Sequence, residues 1–220
     1  MFAFMTNVMY FVKRVPERTM KVSREQVAEN RRTILEAASR LFRQRGYEAV
    51  TVADVMRAAG LTHGGFYGYF KSKEDLIANA LAEALSSAPP PGDLAAYAAG
   101  YLSSAHRDDL GGGCPFAALA AETVRQPAEA RAAMTAGLAR QIERLSAGAA
   151  GADAAKKRRA AIGAWAAMVG AMILARVSDD PALSDEVLDQ TRAWIASRGD
   201  SGARRKSGGD AVKPARAARR

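Results

Sequence analysis

The chain is poor in the residues that build metal centres, disulfide frameworks and many hydrolytic sites. It has one cysteine, Cys114, and two histidines, His63 and His106, among 220 residues. One thiol cannot close an intramolecular disulfide, so a stapled scaffold is excluded and a reducing compartment, the cytoplasm, is expected. Cys114 and His106 alone do not supply zinc-ligand spacing, and neither metal nor cofactor is expected. No Ser-His-Asp order stands out, and the glycines at 111–113 lack the Lys-Ser/Thr and the preceding strand of a phosphate-binding loop. There is no convincing strand pattern and no internal repeat. The apolar opening, 1–12, is too short to span a bilayer, and its first cations, Lys13 and Arg14, come after it, the reverse of a secretory signal. No membrane role is expected.

What is present is charge, unevenly placed. The net charge is +9, with +7 in 13–73, +6 in 201–220 and −4 between them. A basic head, a mildly acidic body and a basic tail suit a protein that holds a polyanion at one end.

Helical periodicity runs through the chain. Ser23 is placed to cap a helix over 23–45, with Gln26 at capping-box spacing and Ile34, Leu35, Ala38, Leu41 and Phe42 on one stripe. Met20 directly precedes that start, which predicts that translation begins there and makes 1–20 an extension. Thr51 caps a short helix with Asp54 in its first turn, and Gly60 ends it in a turn that calls for a left-handed residue. Thr62 is expected to cap a helix running to about Phe70, and Ser72 the next, to about Ser87. The run at 88–92, Ala-Pro-Pro-Pro-Gly, marks a domain boundary. Beyond it helices are expected over 93–107, from Pro115, from Pro127, over 153–177, and from a Ser184 cap to about Arg198. Residues 199–220 hold no large core former and read as a disordered basic tail. The expectation is an all-α protein with an N-terminal three-helix, helix-turn-helix domain at 21–87 and a larger C-terminal helical domain at 93–198.

The order Gly46-Tyr47, Thr51-Val52, Ala59-Gly60-Leu61, Phe66-Tyr67-Gly68-Tyr69-Phe70 and Lys71-Ser72-Lys73-Glu74-Asp75-Leu76 resembles the DNA-binding domain of TetR-family transcriptional regulators. The likeness covers about a third of the chain. It implies a major-groove reading element over 62–69 with Thr62, His63, Gly64 and Gly65 at the base edges, Tyr67 and Tyr69 on phosphates or bases, and Thr51 and Lys73 on phosphates. Two glycines at the reading end cost a helix about 1 kcal/mol each relative to alanine, and they leave direct readout thin, so DNA shape would matter. Solvated surface is the competing reading of His63, half-buried packing that of Tyr67 and Tyr69. Arg31 and Arg32 read as solvated face, with phosphate contact the alternative. Phe66 and Phe70 are expected to pack inward.

The resemblance further implies a ligand-responsive repressor that binds a palindromic operator as a homodimer. The partner contact falls on the last two long helices, one carrying Ile162, Trp165, Ala166, Val169, Met172, Ile173 and Arg176 among small residues, the other Val187, Leu188, Thr191, Trp194 and Ile195. The inducer pocket would draw on Tyr97, Tyr101, Phe116, Leu119, Met134, Leu138, Trp165 and Met168, for which ordinary core is the competing reading. Cys114 precedes Pro115 at a helix start, where the helix dipole favours a thiolate and a role in sensing electrophiles or oxidants; the alternative is a buried space-filler. Two rival functions remain in view: a non-specific nucleic-acid binder driven by the basic tail, and a helical enzyme, for which His106 would be the only histidine base.

Overall fold

The computed structural model describes residues 23–86 and 93–207, with side chains as far as Arg198. Nine α-helices and one 3-10 helix make up the described residues: α1 (Arg24–Arg45), α2 (Val52–Ala58), the 3-10 helix His63–Gly68, α3 (Lys73–Ser86), α4 (Leu94–Tyr101), α5 (Ser104–Asp108), α6 (Pro115–Thr123), α7 (Ala128–Gly148), α8 (Ala154–Val177) and α9 (Pro181–Ser207). The expected extension at 1–20, the boundary at 88–92 and the far tail at 208–220 lie outside the described residues.

Local chemistry sets most helix ends. The Ser23 hydroxyl accepts the Gln26 N–H at 3.1 Å, while the Gln26 side chain reaches forward to Asn30 instead of closing the box. At α2 the box is complete: Thr51 Oγ1 accepts the Asp54 N–H at 3.1 Å and Asp54 Oδ2 accepts the Thr51 N–H at 3.0 Å. Gly60 at φ 71° ends that helix. The Leu61 N–H reaches Met56 O and the Gly60 N–H reaches Arg57 O, the paired bonds that a left-handed residue after a helix makes available. Pro115 opens α6 at a position where its missing N–H costs nothing.

Four expectations need correction. The helix expected over 93–107 is two, because Leu102 leaves the helical region and Ser103 caps a new start by accepting the His106 N–H at 3.2 Å. Thr62 makes no capping bond, and the element it precedes is a six-residue 3-10 helix, not an α-helix to Phe70; three glycines in six residues give α-helix little to recommend it. The last helix starts at Pro181, with the Asp180 carboxylate accepting the Ala182 N–H at 2.9 Å, and Ser184 lies inside its first turn, donating to Ala175 O at 2.7 Å. That helix also continues past Arg198 to Ser207, so the disordered tail expected from 199 is helical over its first nine residues. Once a helix is anchored by packing, each further residue adds a hydrogen bond without a new nucleus, and Ala203, Arg204, Arg205 and Lys206 are favourable helix residues.

Two apolar clusters hold the described residues together. The first gathers α1, α2, the 3-10 helix and α3 around Ile34, Phe42, Val55, Phe66, Phe70 and Leu76, and takes in Leu119 and Ala130 from α6 and α7. The second packs α4 and α6 to α9 around Leu102, Phe116, Leu145, Trp165, Met168 and Met172. Leu85 and Met134 touch both. The crossing of α3 over α7 is close: a Cβ on Gly137 would lie 2.6 Å from Leu85. The N-terminal head is therefore seated on the body through shared core.

On α8 the single stripe expected from the sequence divides into two faces. Trp165, Met168 and Met172 are core, whereas Ile162, Ile173, Leu174 and Val177 are exposed. The helix is long and apolar enough to cross a membrane by length and composition, but its inner face is committed to α7 and α9.

Candidate nucleic-acid interface

The reading element projects because its back is clamped. Phe66 and Phe70 are buried and stack at 5.8 Å between centroids. The Arg31 guanidinium lies 4.5 Å over the Phe70 ring and donates to Tyr69 O at 3.2 Å and Asn79 Oδ1 at 2.7 Å. Arg31 thus fastens α1 to the end of the 3-10 helix and to α3; phosphate contact, its alternative reading, would require leaving those partners. Arg32 pairs with Glu29 and Glu36 on the exposed face of α1.

The front is open. Thr62, His63, Gly64, Tyr67 and Gly68 are exposed and Gly65 is half-buried. Tyr67 is 73% exposed, enough to leave its phenol available to a partner. Neither Gly64 nor Gly65 is required by the chain's own conformation, since positive φ occurs only at Gly46 and Gly60 among the described residues. A Cβ on Gly64 or Gly68 would meet nothing within 4 Å, and one on Gly65 would make only ordinary contact with Thr62 at 3.7 Å. The bare backbone at 64–65 is therefore not explained by internal packing, and a surface that approaches closely from outside would account for it.

Other expected residues are more constrained. The Tyr69 hydroxyl accepts from Asn30 Nδ2 at 2.8 Å, and the residue is half-buried, so packing is a large part of its role. The Thr51 hydroxyl donates to Asp54 Oδ2 at 2.6 Å and so is already engaged. What α2 retains for a phosphate is its first N–H groups, which no helix satisfies internally. The Asp54 carboxyl is held below the usual carboxylate range, first by the Thr51 hydroxyl and then by the Thr51 N–H. Lys73, half-buried, opens α3, and the Ser72 hydroxyl caps that helix by accepting the Asp75 N–H at 3.2 Å. Asn30 and Asn79 escaped the sequence reading because a polar residue within a helix carries no signal of its long-range partner.

Besides the α3–α7 crossing, the head meets the body at the corner after α1. The Glu122 carboxylate accepts the Tyr47 N–H at 2.8 Å, and a Cβ on Gly46, at φ 78°, would stand 2.6 Å from Glu122 Oε1. Arg43 Nε donates to Gly111 O at 2.6 Å. The loop 111–113 and helix α6 thus hold the corner after α1. At the other end of α6, Cys114 donates its N–H to His106 Nε2 at 3.1 Å, and His106 Nδ1 lies 2.7 Å from Tyr101 O. Because the Tyr101 carbonyl can only accept, Nδ1 is the donor to it, and Nε2 accepts the Cys114 N–H.

The residues expected to form a pocket in the body are mostly packed. Tyr101, Phe116, Leu119, Trp165 and Met168 are buried core, Met134 and Tyr97 pack against it, and Leu138 is exposed; edge contacts of Trp165 with Tyr101 and Phe116 at 5.3 and 5.6 Å fill the space between them. Cys114 is also buried, and desolvation pushes its thiol up despite N–H groups of Ala117 and Phe116 nearby. Burial thus reverses the expected preference for thiolate. Among the described residues no three His, Cys, Asp or Glu side chains gather as a metal cluster.

Comparison with known proteins agrees with this geometry. Residues 34–80 match the model for bacterial regulatory proteins of the tetR family, and 90–191 match a tetracyclin repressor-like C-terminal domain. The chain belongs to the TetR family. The chain is 38% identical over 55 residues to the HTH-type transcriptional regulator AcrR of Shigella flexneri, covering 25% of this chain and 26% of that protein. It is 38% identical over 60 residues to the repressor KstR2 of Mycolicibacterium smegmatis, covering 27% and 29%. The alignments thus span little more than a quarter of these relatives' lengths. Over most of the chain the TetR fold is recovered in solved structures. The reduced form of E. coli NemR superposes with a TM-score of 0.61 at 22% identity, covering 77% of this chain and 96% of that one. A TetR regulator from Chloroflexus aurantiacus gives 0.59 at 25% identity, covering 79% and 98%.

Proposed function

We propose that this chain is a ligand-responsive repressor of the cytoplasm that binds a palindromic operator as a homodimer. The observation that carries the reading is the element at 62–68: its aromatic back is locked into core while its glycine-bearing front, with Thr62, His63 and Tyr67, faces outward. Short duplex-facing elements of this kind read base edges from their N-terminal end. Thr51, Tyr69 and Lys73 flank that front and serve the phosphates.

The dimer face lies on α8 and α9. Ile162, Ile173, Leu174, Val177 and Leu183 are exposed apolar side chains on these two helices, a concentration that marks an association surface. Gly163 and Gly170 are open, with nothing within 4 Å of an added Cβ, so a partner helix can come close. Two heads then present reading elements about 34–36 Å apart, one helical turn of DNA.

Coupling runs through α6. Its C-terminal end holds the head corner through Glu122 and Thr123, and its N-terminal end rests on His106. An inducer, a small apolar molecule, that favours a different setting of α6 moves the population toward a form whose heads no longer fit adjacent grooves. A thiol-reactive inducer draws no support from the buried Cys114.

Sequencing genomic fragments captured by the purified protein tests this reading. Enrichment of an inverted repeat with half-sites one turn apart, and affinity that falls steeply with salt, are the expected results. Capture without sequence preference, abolished by removing 201–220, would instead support a tail-driven binder.

A further inference from the structure

A cleft of about 1140 Å³ opens at one end of the body, between the start of α4, the end of α7, the first half of α8 and 194–198 of α9. Its floor is apolar, formed by Leu94, Ala149, Ala160, Ala164 and Ile195, with Trp194 as a wall. Its rim is cationic: among the described residues, Lys156, Arg159 and Arg198 line it against a single carboxylate, Asp93. That carboxylate is already committed to the Ala95 and Ala96 N–H groups at the start of α4. Lys156 shares Asp153 at 3.4 Å, whereas Arg159 has no carboxylate partner among the described residues. The Arg198 guanidinium lies 4.2 Å over the Trp194 ring, so one wall offers a flat apolar surface and a charge together.

We propose that this cleft binds a small amphipathic organic anion, with a flat apolar body against Trp194 and Ile195 and a carboxylate, sulfonate or phosphate head between Arg159 and Arg198. Three cations around one cleft repel one another, and an anion between them relieves that repulsion while gaining charge-assisted hydrogen bonds. None of the eight residues expected to form an inducer pocket lines this cleft; it is bounded by α8 and α9, the helices of the proposed dimer face. As an inducer site it rests on the ligand-responsive reading; as a binding site it does not.

The test uses the full chain, with 1-anilinonaphthalene-8-sulfonate as the anionic probe and N-phenyl-1-naphthylamine as its uncharged counterpart. Titrations are followed by probe fluorescence and by calorimetry. The sulfonate is expected to bind once per chain and at least about tenfold more tightly than the amine, the scale of one charge-assisted contact. The double variant Arg159→Ala, Arg198→Ala, altering two exposed side chains, removes that advantage and leaves the amine's affinity unchanged. Equal affinity for the two probes, or a sulfonate affinity indifferent to the double variant, overturns the proposal. So does sulfonate binding that disappears in step with dimer formation as protein concentration rises, because a second copy then fills the cleft. Operator binding is measured separately. Sulfonate bound in the cleft with operator affinity unchanged supports the site and counts against its use as the inducer site.

Discussion

The phenolic oxygen of Tyr47 lies 3.0 Å from Oγ1 of Thr123, and the direction of that bond is fixed by a third group. Thr123 donates its own hydroxyl proton to Leu119 O at 2.8 Å, so Tyr47 is the donor. One buried bond therefore joins the corner after α1 to the end of α6. Replacing Tyr47 by phenylalanine keeps the ring, which packs edge-on to Phe42 at 5.3 Å, and removes only that bond. The expected loss is about 1 kcal/mol, or roughly 2–4 °C in melting temperature for a chain of this size. Calorimetry of Tyr47→Phe checks it, and an unchanged melting temperature would show the bond to be idle.

The same residue gives an alkaline signature. Burial, with the Glu122 charge adding to it, pushes the Tyr47 hydroxyl up to about 12. The unfolded chain releases that proton near pH 10, so between about pH 10 and 12 the native state holds a proton that the unfolded state has lost. Its contribution is fully present below pH 10 and is lost as pH rises toward 12. Denaturant midpoints of the parent chain should fall more steeply across that window than those of Tyr47→Phe; parallel curves would contradict the assignment.

Gly46 and Gly60 share a left-handed backbone, at φ 78° and 71°, but not their surroundings. A Cβ at Gly60 meets nothing within 4 Å, whereas one at Gly46 meets the Glu122 carboxylate at 2.6 Å. Gly60→Ala should therefore cost only conformational strain, about 1 kcal/mol. Gly46→Ala should cost more, because it also displaces the acceptor of the Tyr47 N–H. Equal losses in urea unfolding would mean that Glu122 simply swings away.

How much of this was legible in the chain follows from the range of each signal. Ser23, Thr51, Gly60 and Pro115 act on groups within four residues, so their roles could be read directly. The inward turn of Phe66 and Phe70 followed from spacing. Thr62 misled because a capping residue is recognised by type, while the glycines after it decide what kind of helix there is to cap. The residues named for an inducer pocket were less legible for another reason: apolar residues at helical spacing look the same whether they line a cavity or fill it. Trp165 wedged between Tyr101 and Phe116 fills it. The partners of Arg31 and Glu122 lie 38 to 75 positions away, beyond any local pattern.

Cys114 should be slow to react in the native chain. Desolvation raises its thiol, so the thiolate that attacks an alkylating agent is scarce near neutral pH. Iodoacetamide at pH 8 is expected to label the unfolded chain at least about tenfold faster than the folded one. Comparable rates, read by intact-mass spectrometry, would restore the electrophile-sensing role.

The glycines of the reading element separate fold from function. A methyl at Gly64 touches nothing in the protein and needs no change of backbone region, so Gly64→Ala should leave the melting temperature unchanged or raise it slightly, by up to about 1 kcal/mol of stability. If the bare backbone exists to let DNA approach, the same methyl weakens operator binding. Tyr67→Phe, at a side chain 73% exposed, should likewise spare stability and lose affinity. Lys73→Ala should weaken all duplexes alike and lower the salt slope by about 1 if it neutralises one phosphate. Fluorescence anisotropy with the captured operator, at several salt concentrations, distinguishes the three. Full operator affinity in Gly64→Ala would remove the reason for glycine there and with it the close approach of this edge to the bases.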